Sequence, residues 1–371
     1  MAAAAVFSAG RRLLSTAAVE AKHEHAIPIA HLRRLSRAGN HAEINAVLAP
    51  LFPSHPTATL SALSSIGLAD RASELLATVQ SPTAAHLNAV LGPLLRRRRL
   101  AALVPSILAA HPSAPRDAVT DSIHAKSLCI TSGADSALHL IREPASGEKP
   151  SVQLFTSIID SFYKQRLPHR AEEMWRSMVN DHGIVPDAAA HNARITYKSK
   201  NGTVEEVQEL IRAMREEARL GPDVVTFNAL IRVMARHGRV DEAVQVYRRL
   251  EKGKEAGVLP ATGTYTCVVG ALCSVGRWSE AEDVFYEGLK RRMVTDLGTV
   301  RQLVRGLKDA GKGRAARRVV VGLRKKFPEQ FDGPWKELEE LIGLPASDKD
   351  DGDGDGQDGG EEESATTSAA A

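Results

Sequence analysis

The chemistry open to this sequence starts with its charges. Basic residues gather in RRRR (96–99) and in RGLKDAGKGRAARRVVVGLRKKF (305–327). Guanidinium and ammonium groups at this density can neutralise the phosphates of a polyanion. Lys312, Arg314, Arg317 and Arg318 are the candidate phosphate contacts of the second run. Opposite charge collects from Ser347 onward, where nine acids face one Lys; without that segment the chain's net charge of +3 becomes +11. One basic run alone is an ordinary solvated helix face. A basic body combined with a repeat array points to RNA.

Other groups that could react lead nowhere. Asp351, Asp353, Asp355, Gly356 and Glu362 fit a calcium-loop spacing. Asp358, however, stands where such a loop needs an apolar anchor, and no amphipathic helix follows. His23 and His25 form a lone HEH. Cys129, Cys267 and Cys273 have no metal-type pair spacing and read as small buried thiols. Paired carboxylates, an activated nucleophile and a phosphate loop are all missing. The expectation is therefore binding without catalysis: no metal, no cofactor and no small-molecule substrate. No apolar run approaches the roughly 18 residues of a membrane span, so no membrane partner is expected.

The elements that must position these charges are helices. In DVVTFNALIRVMARHGRVDEAVQVYRRL (223–250), apolar residues fall at Phe227, Leu230, Ile231 and Met234, then at Ala243, Val246, Tyr247 and Leu250. Both sets follow the i, i+3, i+4, i+7 spacing of an amphipathic helix. The pattern of apolar helix, turn and acid-led helix recurs with a period of about 35–38 residues, in 152–187, 188–223, 224–261 and 262–296. Gly202, Gly238 and Gly276 mark the turns, and Arg166 takes that place in the first copy. A period of this size predicts an all-α fold, an α-solenoid whose helical hairpins bury their stripes on their neighbours. Weaker hairpins precede it at 32–52, 60–76, 88–108 and 118–141, giving about eight or nine in all. The predicted organisation is a leader (1–30), degenerate hairpins (31–151), regular hairpins (152–331, the last being 297–331), a C-terminal cap helix (332–346) and an acidic, low-complexity tail (347–371).

The stretch VVTFNALIRVMARHGRVDEAVQVYRRL is similar to the pentatricopeptide repeat along most of both helices. The likeness is strong for 224–296, good for 152–223 and weak elsewhere, and it resembles the plain P class. It implies an organellar protein that binds single-stranded RNA, one hairpin to one base. In that family the fifth and last residues of a repeat read the base edge. The resemblance then implies the pairs Thr156 with Asp187, Asn192 with Asp223, Asn228 with Ala261, and Thr266 with Asp296. Thr with Asp implies guanine and Asn with Asp implies uracil; Asn228 with Ala261 lacks the orienting acid. A weaker unit offers Ser122 with Ser151. Arg301, the fifth residue of 297–331, fits no pairing and is a candidate phosphate contact. The family's second residue is usually Val, which stacks on the base; Val225 is the candidate here, while Gln153, Ala189, Gly263 and Gly298 offer little stacking surface.

Parts of the chain, at 171–195 and 299–320, also resemble small mitochondrial pentatricopeptide proteins associated with the small ribosomal subunit. Two functions therefore stay open. One is RNA binding in organellar RNA processing, stability or translation. The other is a structural place on the mitochondrial small subunit, touching ribosomal RNA and ribosomal proteins with little base specificity.

MAAAAVFSAGRRLLSTAAVE is rich in Ala and Ser, carries Arg11 and Arg12, and holds no acid before Glu20. That is the composition of a transit peptide, and RRLLST resembles a plant mitochondrial cleavage context; the mitochondrial matrix is expected ahead of the chloroplast. Changing Arg11 and Arg12 to Asp should abolish import, with a tagged chain staying in the cytosol. N-terminal sequencing of the imported wild type should begin near Ser15.

Overall fold

The computed structural model describes residues 29–343 except 254, 256 and 332. The leader, with Arg11, Arg12, His23 and His25, and the acidic tail, with its calcium-like spacing, lie outside the described residues. Every regular element among the described residues is a helix. The chain divides into two compact units, Met1–Val233 and Met234–Ala371.

In the first unit the described helices are α1 (Ile29–Arg37), α2 (His41–Leu48), α3 (Pro56–Ile66), α4 (Ala69–Ala77), α5 (Ala84–Leu91), α6 (Arg98–Ala101), α7 (Val104–Ala110), α8 (Ala118–Thr131), α9 (His139–Arg142), α10 (Val152–Lys164), α11 (Pro168–Arg176), α12 (Ala188–Asn201) and α13 (Val204–Glu216). α14 (Val224–Arg236) carries the chain out of this unit. The leading helices of successive hairpins pack on one another: α3 on α5, α5 on α8, α8 on α10, and α10 on α12. Their apolar stripes make two cores. One runs from Leu32 through Leu63, Leu87 and Leu94 to Ala114; the other runs from Ala125 through Phe155, Ile159 and Phe162 to Ala190.

The second unit continues with α15 (Val240–Glu251), α16 (Thr262–Ser274), α17 (Trp278–Lys290), α18 (Leu297–Asp309), α19 (Gly313–Lys326), α20 (Pro328–Phe331) and α21 (Lys336–Ile342). Leading helices again stack, α16 on α18 and α18 on α21. Tyr265, Leu272, Phe285, Leu303, Val320 and Leu323 are buried between them. Within each unit this is the local arrangement of an α-solenoid, stabilised chiefly by apolar contact between neighbouring hairpins. Burial pushes the Cys129 thiol up to about 11 and the Cys273 thiol up to about 12, so both stay protonated.

Three turns and one helix contact show how closely the helices meet. Gly238 and Gly276 adopt left-handed φ of 75° and 73°, and Arg166 holds the same conformation at φ 61°. An L side chain is strained there, by roughly 1–2 kcal/mol. At Gly306 of α18, a Cβ would stand 2.1 Å from the ring of Trp278 on α17, inside van der Waals contact. Arg166→Gly should therefore stabilise the chain by up to about 1 kcal/mol. Gly306→Ala should destabilise it by roughly 1–3 kcal/mol, since the ring must move out of a packed joint. Urea unfolding followed by circular dichroism measures both, and a Gly306→Ala chain as stable as wild type would contradict the packing described.

Candidate nucleic-acid interface

The residue before each leading helix does a local job first. Asp187, Asp223 and Asp296 are N-caps, accepting from the backbone N–H groups of Ala190 at 2.9 Å, Thr226 at 3.0 Å and Thr299 at 3.0 Å. A cap of this type contributes roughly 0.5–2 kcal/mol. Ser151 caps α10 in the same way, accepting from Leu154 at 3.1 Å. Ala261 has no side-chain oxygen; its backbone N–H instead donates to Thr264 Oγ1 at 3.1 Å.

Asp223 does more than cap. Asn192, the fifth residue of α12, donates through Nδ2 to both carboxylate oxygens of Asp223, at 3.1 and 3.0 Å. Its Oδ1 accepts from the hydroxyl of Thr226 at 2.7 Å. Thr226 Oγ1 in turn accepts from the backbone N–H of Asp223 at 3.2 Å. An ionised carboxylate only accepts, so it fixes which end of the amide is NH2. One Nδ2 hydrogen and one Oδ1 lone pair remain, side by side, for a ligand.

Asn192 lines a groove of about 1050 Å³ in the first unit. Thr156, Asp187, Asn192, Asp223 and Val225 all line it, so five of the sequence-predicted residues share one surface. Val225 is 46% exposed there, an uncovered apolar side chain among polar neighbours. The pairings are less uniform than the shared surface suggests. Thr156 gives its hydroxyl proton to the Val152 carbonyl at 2.8 Å, and Thr266 gives its own to Thr262 at 3.1 Å. In the second unit, the Asp296 carboxylate is engaged by Thr299, from both N–H and hydroxyl. Only the Asn192–Asp223 pair is joined directly among the four. Ser122 and Ser151 do meet, oxygen to oxygen at 2.7 Å. Asn228 has a buried Oδ1 with no hydrogen-bond partner among the described residues.

The basic candidates separate into two sets. Arg301 lines a cavity of about 570 Å³ in the second unit with Gly298, Gln302, Arg305 and Asp309, all on one face of α18. Its guanidinium is already paired with Glu337 on α21. Lys312, Arg314, Arg317 and Arg318 belong to the outer helix α19 and its cap, and none of them lines that cavity. Arg314 and Arg317 are exposed. Lys312 bonds Ser279, and Arg318 pairs with Glu282 at 3.0 Å.

Sequence reasoning held Arg305 only as the start of a basic run, although it lies one helical turn beyond Arg301 and lines the same cavity. It missed Lys126 and Lys164 along the groove of the first unit. It also missed Thr226, whose role appears only when Asn192 is brought across from the preceding hairpin.

The PPR repeat family matches residues 154–182, 219–251 and 263–293. Those three segments are similar to the PPR repeat. Two Arabidopsis thaliana proteins are similar, each at 30% identity over 62% of this chain. One is a small ribosomal subunit protein, mL103 (rPPR7); the other is a mitochondrial pentatricopeptide repeat-containing protein. The matches cover 54% and 52% of those proteins, so the chain spans about half the length of the curated relatives it matches. Among solved structures, the pentatricopeptide repeat protein PPR10, from maize, in complex with an 18-nt psaJ RNA element, aligns with a TM-score of 0.51 at 20% identity. That alignment covers 82% of this chain and 48% of PPR10, and it shows the fold.

The two cap carboxylates predict a measurable difference. Asp187→Ala removes a cap and should cost about 1 kcal/mol. Asp223→Ala removes a cap and also leaves the buried Asn192 amide without its anchor, so it should cost roughly 1–3 kcal/mol more. Equal losses in chemical denaturation would mean that the amide contact contributes nothing.

Proposed function

We propose that this chain binds single-stranded RNA in the mitochondrion, offering one hairpin to one base, and acts in RNA processing, stability or translation without catalysis. The observation that carries this reading is the Asn192 amide, oriented by Asp223 and Thr226 and opening onto a groove beside exposed Val225. An amide so held offers an adjacent donor and acceptor, the pattern that pairs with the edge of an unpaired base. Val225 supplies apolar surface for the base face, and Lys126 supplies positive charge along the same groove, where Lys164 is paired with Asp160. The mitochondrial assignment follows the second Arabidopsis relative and the basic, acid-poor leader. PPR10 was solved holding RNA, which fits the same use of the fold.

The first Arabidopsis relative favours a second reading, a place on the small ribosomal subunit. On that reading the chain grips folded ribosomal RNA by its phosphates. The exposed residues Arg314, Arg317 and Arg318, with Lys325 two turns further along α19, make a suitable basic face.

Anisotropy titrations of the full chain with labelled 14-nucleotide RNAs separate the two. For base reading, Asn192→Ala should weaken the preferred single strand by roughly 1–3 kcal/mol, the worth of one good base contact, and leave other strands unchanged. For phosphate gripping, Arg314→Gln, Arg317→Gln and Arg318→Gln together should weaken all RNAs alike. That triple change should also lower the salt dependence by about 0.7 per lost contact on single strands. A chain that binds duplex and single strand equally, and ignores Asn192→Ala, would overturn the first reading. Sedimentation of a mitochondrial lysate, with the chain absent from small-subunit fractions, would overturn the second.

A further inference from the structure

The acidic run from Ser347 onward takes no part in either function proposed above, and α19 offers it a partner. α19 buries Ala315, Ala316, Val319, Val320 and Leu323 against its own unit. Its other side presents Arg314, Arg317, Arg318, Val321 and Lys325, all exposed. At about 3.6 residues per turn these five fall within an arc of about 100° and span about 16 Å of the axis. None of them lines the cavity on α18. Arg318 pairs with Glu282 at 3.0 Å. No ion pair joins Arg314, Arg317 or Lys325 to a carboxylate among the described residues. Val321, in the middle of the stripe, is 48% exposed. A phosphate gains nothing from that side chain, whereas a polypeptide can cover it.

A cationic helix face is ordinarily just solvated, and a second observation distinguishes this one. The chain beyond α19 already lays carboxylates on the cations of this unit. α21 packs on both α18 and α19. Its Glu337 takes Arg301, and Glu339, 5% exposed, pairs with Arg324 of α19 at 3.1 Å. Lys308 Nζ donates to the Leu341 carbonyl at 2.9 Å and holds the end of α21 in place. The last described residue, Gly343, thus follows a helix docked on the one that bears the stripe. Residues 347–371 then carry nine acids against one Lys. Extended at about 3.3 Å per residue, that run can reach about 80 Å, several times the length of the stripe. Tethering gives it an effective concentration on the order of millimolar near α19, which a free polyanion must match.

We propose that the exposed stripe of α19 is the docking surface for the chain's own acidic segment, 347–371, whose carboxylates lie against Arg314, Arg317 and Lys325. The segment shields this outer face from other polyanions. RNA phosphates gain the stripe only by displacing it, so α19 adds to RNA binding when the segment is neutralised or drawn away. The docking itself needs no RNA and stands apart from the reading of bases at Asn192.

The test is zero-length carbodiimide coupling of the full chain, which joins a carboxylate to an amine in contact with it, followed by peptide mass spectrometry. Lys325 should couple to acids of 347–371 at low salt, and about fivefold less or weaker still at about 1 M salt, where charges are screened. Arg317→Lys keeps the charge, adds an amine at the centre of the stripe, and should add a second link to the same segment. In an equal mixture of isotope-labelled and unlabelled chains the links should stay within one chain; links between chains would overturn docking in cis. Anisotropy with labelled RNA at low salt gives an independent measure. Changing the nine acids to Asn or Gln should tighten binding by about three- to tenfold. Arg314→Gln, Arg317→Gln and Arg318→Gln together should cancel that gain. The absence of links from both amines would overturn the inference, because the stripe is then bare or left to RNA. The same tightening in the triple variant would overturn it as well, because the acids then act only as distant charge. Neither result touches the reading of bases at Asn192, and a chain that binds no RNA leaves the cross-links to decide.

Discussion

The structure turns on a carboxylate at the joint between hairpins. The residue before each leading helix must satisfy orphan backbone N–H groups, because the first turn of a helix has no internal acceptors for them. An Asp there is stabilising whatever the protein does. At Asp223 the same carboxylate reaches back to the amide of the preceding hairpin, so one group both starts a helix and aims a side chain. Fold and recognition are therefore coupled. The amide is no better oriented than the joint that holds it, and the joint is formed only when the next hairpin is docked. Where the joint lacks a carboxylate, as at Ala261, the cap is reduced to a contact from its own backbone N–H to Thr264.

Packing explains why such a joint is rigid enough to serve. Leading helices stack directly on one another, with Phe155, Ile158 and Phe162 wholly or almost wholly buried in the first unit and Tyr265, Leu272 and Leu303 wholly buried in the second. Neighbouring hairpins are tied by charge as well. Arg194 pairs with Glu172 at 2.7 Å and lies over the Trp175 ring at 4.4 Å, while Arg248 pairs with Glu287 at 2.8 Å. Partly exposed pairs of this kind contribute little each. They set the register in which neighbours meet, and the apolar interior supplies most of the stability.

Much of this was legible in the sequence because it is local. The 3.6-residue stripe, the turn residues and the period of about 35–38 report each hairpin from its own residues, and Phe227, Leu230, Ile231 and Met234 are buried as their spacing requires. The last-position residues were named from the resemblance, and three of them, Asp187, Asp223 and Asp296, cap the helices they start. What failed to show was contact between hairpins of irregular length. Asn88 and Asp117 lie 29 residues apart where Asn192 and Asp223 lie 31 apart, and a 3-10 turn over Gly92–Arg96 with Pro93 interrupts the outer helix between them. That break hides the period while leaving the α5–α8 contact intact. Arg301 is the converse case. Its position suggested a free cation, and its pairing with Glu337, 36 residues on, depends on how α21 folds back against α18.

The scarcity of apolar second positions then acquires a meaning. Under the proposed function, Gln153, Gly263 and Gly298 would offer a base little to stack on, even where Thr266 or Thr156 is in place. An exposed Val coincides with a carboxylate-held amide at Val225 and Val119. Stacking surface and a fixed polar edge are separate requirements, met by different residues, and neither is needed for the helices to pack. Their joint occurrence at two joints, with the same Asp and Thr, is difficult to ascribe to stability alone. The Asp and Thr together form a capping box that stabilises the helix start by itself, whereas burial of Val would serve the fold better than its exposure.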